Sequence, residues 1–183
     1  VLISGGSRGI GRACVEAFCR AGDRVVFLYR SREDIAAEVA GQTGAYPIRA
    51  DISDPEAVRQ AVEAATAHLG GVDILVNNAG AALLGQIQDV TDAQWRNLVD
   101  TDLSGAFYLC RAVAPLMVRQ HSGAIVNIGS MWGKTGASCE VAYSAAKAGI
   151  RGLTMSLAKE LGPSGVTVNC VEPGPVSYTH LRA

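Results

Sequence analysis

The sequence predicts an α/β protein, a doubly wound parallel sheet lying between two layers of helices, and three observations predict it. Short apolar runs alternate with longer amphipathic stretches along all 183 residues, the order that produces strands joined by crossover helices. The runs at residues 1–4, 24–30, 45–51, 72–77, 124–130 and 166–171 are near-continuously hydrophobic, as parallel strands buried on both faces are. No repeat or low-complexity linker divides the chain, so the six runs belong to one sheet with right-handed connections.

After the first run, Ile10, Cys14, Ala17 and Ala21 recur at helical spacing, and Gly22 closes that helix in a left-handed conformation. Ser53 and Glu56 form a capping box, with Pro55 in the first turn, for a helix reaching about Leu69. Thr91 and Gln94 repeat the device ahead of Trp95. A long helix then spans about 97–120, and another runs from near Ala142 until Gly162 and Pro163 stop it.

Composition excludes several classes. A formal charge of -1 gives no basic surface for nucleic acid or a membrane, and no run reaches the roughly 18 apolar residues of a membrane span. Cys14, Cys19, Cys110, Cys139 and Cys170 are odd in number and unpaired in spacing, which fits small buried residues in a reducing cytoplasm. His68, His121 and His180 stand apart from one another, so no metal site is expected.

In sheets of this kind ligands bind at the carboxyl ends of the strands. SGGSRGIG follows the first strand and opens a helix. Gly5, Gly9 and Gly11 permit a tight turn, close approach of backbone to a pyrophosphate, and close helix packing. Ser7 and Ile10 lie in the same loop, and the amino end of the helix favours phosphate charge. The second strand ends in FLYRSRED, where Arg30, Ser31 and Arg32 precede any acid, and Arg8 adds a guanidinium in the loop. Arginines suit a 2′-phosphate, whereas a carboxylate here would suit a free 2′-hydroxyl, so NADP(H) is favoured over NAD(H).

Tyr143 and Lys147 stand four apart in YSAAK, on one face of a helix, and Ser130 ends the fifth strand. A lysine charge about 5 Å from a phenol favours the phenolate by roughly 3 kcal/mol at an effective dielectric of about 20. That would bring a group titrating near pH 10 towards neutrality.

With the glycine loop, NNAG (residues 77–80), Ser130, Tyr143, Lys147, Pro173 and Gly174 in this order, the chain resembles the single-domain short-chain dehydrogenases/reductases. Closest in pattern are the 3-oxoacyl-[acyl-carrier-protein] reductase-like members. The resemblance implies a Rossmann fold and an oxidoreductase moving hydride between NADP(H) and a carbonyl or secondary alcohol. A ketone or 3-oxoacyl thioester would be the small-molecule substrate. Tyr143 would be the acid/base, Ser130 would hold the reacting oxygen, and Lys147 would assist Tyr143 and the nicotinamide ribose. Asp51 and Ile52 would flank the adenine, Asn78, Ala79 and Gly80 the ribose side, and Pro173 and Gly174 would complete the cofactor site. The resemblance also implies a homotetramer or homodimer through the two long helices, for which Leu103, Phe107, Cys110 and Ala114 supply an apolar stripe. Trp132, Ser138 and Pro175 would approach the substrate.

Two departures stand out. The family's active-site asparagine falls where this chain has Asp102, adding a negative charge near Lys147 that would weaken its help to Tyr143. Members of the family also continue past the Pro–Gly pair, so residues 1–175 are expected to be an incomplete dinucleotide-binding domain. Residues 176–183, VSYTHLRA, back-translate to adaptor-like DNA and are expected to be foreign to it. The alternatives are a nicotinamide-binding protein without turnover and a fragment of a longer enzyme.

Overall fold

A computed structural model describes residues 1–174; Pro175 and the expected tail lie outside the described residues. Each apolar run carries a strand: β1 (Leu2–Ser4), β2 (Val26–Tyr29), β3 (Tyr46–Arg49), β4 (Ile74–Asn77), β5 (Gly123–Ile128) and β6 (Val166–Val171). They form one sheet in the order β3-β2-β1-β4-β5-β6, and every pair is parallel. The order reverses between β1 and β4, which leaves a crevice where the two sets of crossovers part.

Alternate side chains enter two cores. Leu2, Val26, Leu28, Leu75 and Ile125 pack against α3 (Pro55–Leu69), α5 (Gly105–Gln120) and α7 (Val141–Leu161). Ile3, Phe27 and Val76 face the other way, onto α1 (Gly9–Arg20) and α2 (Glu33–Thr43). Each of these fully buried side chains contributes about 1.5–3 kcal/mol of apolar transfer. The doubly wound sheet with helices on both sides is the predicted fold class.

The helix ends show which local signals act. Gly22 has φ +93°, and the N–H groups of Gly22 and Asp23 donate to the carbonyls of Cys19 and Phe18. This is the left-handed closure expected after α1. Thr91 and Gln94 form the expected reciprocal capping box on α4 (Asp92–Val99). The box assigned to Ser53 does not form. Asp54 caps α3 by accepting from the Glu56 N–H, while the Ser53 hydroxyl donates to Asp51 at 2.7 Å. Two adjacent oxygen-bearing residues competed for one helix end, and Pro55 at the first helical position favours the residue immediately before it.

The long helix expected over 97–120 is also interrupted. Between α4 and α5, residues Asp100–Ser104 form a π-helical turn, a wide turn that sequence periodicity does not announce and that recurs at functional sites. The expected stripe splits as a result. Cys110 is buried in the core and Ala114 packs against it, whereas Phe107 stays exposed, its ring beside Tyr108 and Arg111. No helix among the described residues is long and apolar enough to cross a membrane.

A chain of buried polar groups ties the layers together. Asn77 on β4 donates to the Asn127 Oδ1 on β5 at 2.8 Å, and Asn127 donates to the Thr154 hydroxyl of α7 at 2.8 Å. Thr154 in turn donates to the Ile150 carbonyl. Replacing Asn127 with Ala leaves the Asn77 amide and Thr154 oxygen short of partners, so urea unfolding should show a loss of about 2–3 kcal/mol.

Candidate active site

A cleft of about 840 Å³ runs across the carboxyl ends of the strands, with walls supplied by the segments that follow all six. Its geometry begins at Ser4. The Ser4 hydroxyl accepts from the N–H groups of Asn78 and Ala79 at 3.0 and 3.1 Å. The Asn78 side chain donates back to the carbonyls of Ser4 and Gly5 at 3.0 and 3.1 Å. The loops after β1 and β4 are thereby joined across the crevice.

The glycine loop is compressed against this joint. Gly5 and Gly9 have positive φ (68° and 57°), a region side chains rarely enter. A Cβ on Gly11 would stand 2.2 Å from the Gly5 carbonyl oxygen and 2.4 Å from the Asn78 Nδ2. Gly11 is therefore a buried spacer, and of the predicted cofactor-binding residues it alone does not line the cleft. Arg8 stands at the N-cap of α1 without a side-chain cap, so the first N–H groups of the helix remain available to an anion.

Gly5, Ser7, Arg8, Gly9 and Ile10 line one end of the cleft. Arg30 and Ser31 from the end of β2, with Asp51 and Ile52 from the end of β3, line the wall beside them. Arg32 also borders the cleft but is bound by Asp34 at 2.8 Å. Burial pushes the Asp51 carboxyl up, yet its bonds from Ser53 outweigh this and leave it below its ordinary value. Asn78, Ala79 and Gly80 form the floor, and Pro173 and Gly174 close the far side.

Ser130, Tyr143, Lys147 and Asp102 gather at that far end. Ser130 is fixed by accepting from the Trp132 N–H at 3.2 Å. The short helix α6 (Trp132–Thr135) lies directly on α7: a Cβ on Gly133 would stand 2.7 Å from the Lys147 backbone carbon. Lys147 is buried, donates to the Ile128 carbonyl at 3.2 Å, and carries its Nζ 5.5 Å from the centre of the Tyr143 ring. Asp102, fully buried in the π-helical turn, accepts from the Ala81 N–H at 2.7 Å and places its other oxygen 3.3 Å from Lys147 Nζ. That second contact is a charge contact without hydrogen-bond alignment, and Asp102 Oδ2 has no other partner. Gly80 makes room for the pair, since a Cβ there would stand 2.8 Å from this oxygen.

The expected lowering of the Tyr143 phenol is not what this arrangement produces. Burial pushes the phenol above its ordinary value, and the carboxylates of Asp102 and Glu140 add to the rise against an opposing hydrogen bond from Ser130. Lysine alone would stabilise phenolate; a lysine matched by a buried carboxylate does not.

Sequence reasoning missed Ser4, Ala81, Thr101 and Glu140. Only Ser4 left a trace, as a hydroxyl ending an otherwise apolar strand. Trp132 lines the cleft as expected, Ser138 does not border it, and Pro175 lies outside the described residues. No group of three or more His, Cys, Asp or Glu among the described residues is placed to hold a metal ion. His68 instead stacks on Tyr46, with ring centres 4.2 Å apart.

A doubly wound sheet with a glycine loop at its switch point and a Ser–Tyr–Lys group opposite defines a nicotinamide-dependent oxidoreductase of the α/β type. The chain belongs to the short chain dehydrogenase family, whose model matches residues 1–183. It is 46% identical over 192 residues to the probable galactose dehydrogenase GalD of Rhizobium meliloti (strain 1021), covering 100% of this chain and 73% of that protein. It is 37% identical over 184 residues to the 3-oxoacyl-[acyl-carrier-protein] reductase FabG of Escherichia coli (strain K12), covering 100% of this chain and 75% of that protein. Among solved structures, that of NAD+-bound xylitol dehydrogenase superposes with a TM-score of 0.91 at 29% identity, covering 98% of this chain and 71% of that one.

The Gly11 contact provides a test of the loop. Gly11→Ala forces the loop and Asn78 apart, and should cost about 1–3 kcal/mol of stability. Nicotinamide dinucleotide affinity, read by fluorescence titration, should fall with it.

Proposed function

We propose that this chain transfers hydride between NADP(H) and a carbonyl or secondary alcohol, with Tyr143 as proton donor and acceptor. The observation that carries this reading is the placement of Ser130, Tyr143 and Lys147 at one end of a cleft whose other end is a glycine loop opening a helix. The residues present fit a dinucleotide: the positive-φ glycines hold the backbone in a tight turn, and the uncapped helix end suits a pyrophosphate. Bound there, the cofactor supplies or takes up the hydride.

The chain's own residues do the rest. Ser130 hydrogen-bonds the carbonyl oxygen and sets its position. As hydride reaches the carbonyl carbon, the oxygen takes the Tyr143 proton and becomes the product hydroxyl; the phenolate then regains a proton from water. Alcohol oxidation runs the same transfers backwards. Lys147, held by the Ile128 carbonyl, keeps the phenol oriented and would hold the nicotinamide ribose. The cleft-lining segments Asp51–Ile52 and Asn78–Gly80 would hold the adenine and ribose, and Pro173 and Gly174 would complete the cofactor site.

Arg8 and Arg30 support the NADP preference, because both line the cleft and neither forms an ion pair among the described residues. Arg32, engaged by Asp34, supports it less. A 3-oxoacyl thioester is one candidate substrate through the likeness to the Escherichia coli reductase; a sugar alcohol or aldose is a second through the likeness to the probable galactose dehydrogenase. Exposed Phe107 on α5 and Met155 on α7 support assembly of copies through these helices into a dimer or tetramer, and the five free cysteines support a reducing, cytoplasmic setting.

Tyr143→Phe should lower turnover by at least about a hundredfold while leaving cofactor affinity within a few-fold; a variant as active as the parent would remove Tyr143 from the reaction. Arg8→Gln and Arg30→Gln should each weaken NADPH binding about tenfold and leave NADH binding nearly unchanged. Equal losses for both cofactors would assign the arginines to the pyrophosphate instead.

A further inference from the structure

We infer that Asp102 is a positioning residue that cancels the charge of Lys147 and so keeps Tyr143 in its proton-donating form, biasing the site towards carbonyl reduction at neutral pH. This rests on the reading of Tyr143 as the proton-transfer residue. The inference follows from how the pair is built. Both groups are buried, at 6% and 0% side-chain exposure, and their charged atoms lie 3.3 Å apart. Solvent screening between them is therefore weak.

The net charge of the pair does not depend on where its shared proton resides. Ammonium with carboxylate, or amine with carboxylic acid, sums to zero in either case. Burial favours the neutral acid for Asp102, while Lys147 and the Ala81 N–H favour the carboxylate; with one proton held between the two groups, the pair leaves no net positive charge beside the phenol. A lysine without this partner would present a full positive charge about the same distance from the ring, which stabilises phenolate.

The other groups facing Tyr143 do not restore that charge. From its own helix come Lys147 and, at the N-cap, Glu140, whose carboxylate disfavours phenolate as Asp102 does. Ser130 at the end of β5 is neutral and offers only a hydrogen bond. The arginines that line the cleft belong to the loops after β1 and β2, at its opposite end. Geometry also fixes Asp102 firmly: the Ala81 N–H holds one oxygen, and the π-helical turn aims the other at Lys147 while Gly80 leaves it space. A phenol kept protonated can give a proton to a carbonyl oxygen over a wide range of pH. The reverse step needs phenolate, so alcohol oxidation is expected only at alkaline pH.

The test is a phenolate absorbance titration of the full chain, corrected by subtracting Tyr143→Phe, compared with the same titration of Asp102→Asn. Asparagine keeps an oxygen for the Ala81 N–H and removes the charge. Its Tyr143 midpoint should fall by about one to two pH units, and the alkaline limb of the alcohol-oxidation profile should move with it. Asp102→Ala, which also removes the acceptor, should shift the midpoint in the same direction with a lower unfolding midpoint in urea. A Tyr143 midpoint unmoved in a folded Asp102→Asn chain would overturn the inference, as would a shift confined to Asp102→Ala, which is the mark of packing. The titration needs neither cofactor nor substrate. A chain that shows the shift but transfers no hydride would sink the proposed function and leave the charge assignment standing.

Discussion

Asn78 donates its side-chain amide to the carbonyls of Ser4 and Gly5, across the gap where the strand order reverses, while the Ser4 hydroxyl accepts two N–H groups in return. The cleft depends on that reciprocal joint. It satisfies loop backbone groups that are held away from water, at a place where no strand ladder could reach them. It also fixes the height of the glycine loop against the floor of the site. Gly11 has no room for a side chain because the joint has drawn the loop in, and the open amino end of α1 faces the cleft from the same loop.

The opposite end of the cleft is built on a different principle. There the side chains are held by helices pressed close to one another through residues that lack bulk. Gly133 lets α6 touch the backbone of α7 at Lys147, and Gly149 brings α7 against Leu103 in the π-helical turn, where a Cβ would stand 2.7 Å from a Leu103 methyl carbon. The widened turn carries Asp102 inward at the point where α4 passes into α5. One end of the site thus exposes backbone dipoles to a ligand, and the other presents a few side chains in a dry, nearly uncharged setting. Short-chain dehydrogenase chemistry needs both: an anion held at one end, and a proton moved beside a hydride at the other.

Much of this was legible in the sequence. Apolar runs located all six strands, and the spacing of glycines and of Tyr143 with Lys147, together with the Pro173–Gly174 pair that the family resemblance supplied, identified residues that converge on one cleft. What was not legible depended on competition or on three-dimensional approach. Ser53 and Asp54 are both able caps, and the sequence does not rank them; the proline that follows Asp54 does so in the folded chain. The π-helical turn leaves no periodic mark, so the helix from 97 to 120 reads as unbroken. Ser4 looks like the last residue of a strand until Asn78 arrives from 74 positions away. The resemblance had already placed Asp102 near Lys147; what only the folded chain supplies is the Ala81 N–H that holds one carboxylate oxygen and the space Gly80 leaves for the other, 3.3 Å from the lysine. The expected lowering of the phenol fails first because Tyr143 is partly buried, which favours the neutral phenol, and then because the Asp102 and Glu140 carboxylates add to the rise.

The buried run from Asn77 through Asn127 to Thr154 has a consequence for how the chain finds its structure. Side chains on a strand alternate faces, so a slip of β5 by one residue would carry Asn127 to the opposite side and bring Val126 or Ile128 into its place. An aliphatic group there could answer neither Asn77 nor Thr154, and two amide or hydroxyl groups would be stranded in a dry interior. The polar run therefore works as a key that only one alignment of β5 can turn. Apolar strands of this kind would otherwise tolerate sliding, because one branched side chain resembles the next. In a sheet assembled from distant stretches of chain, a single amide in β5 separates the correct alignment from its near neighbours, and the end of that strand then delivers Ser130 to the cleft.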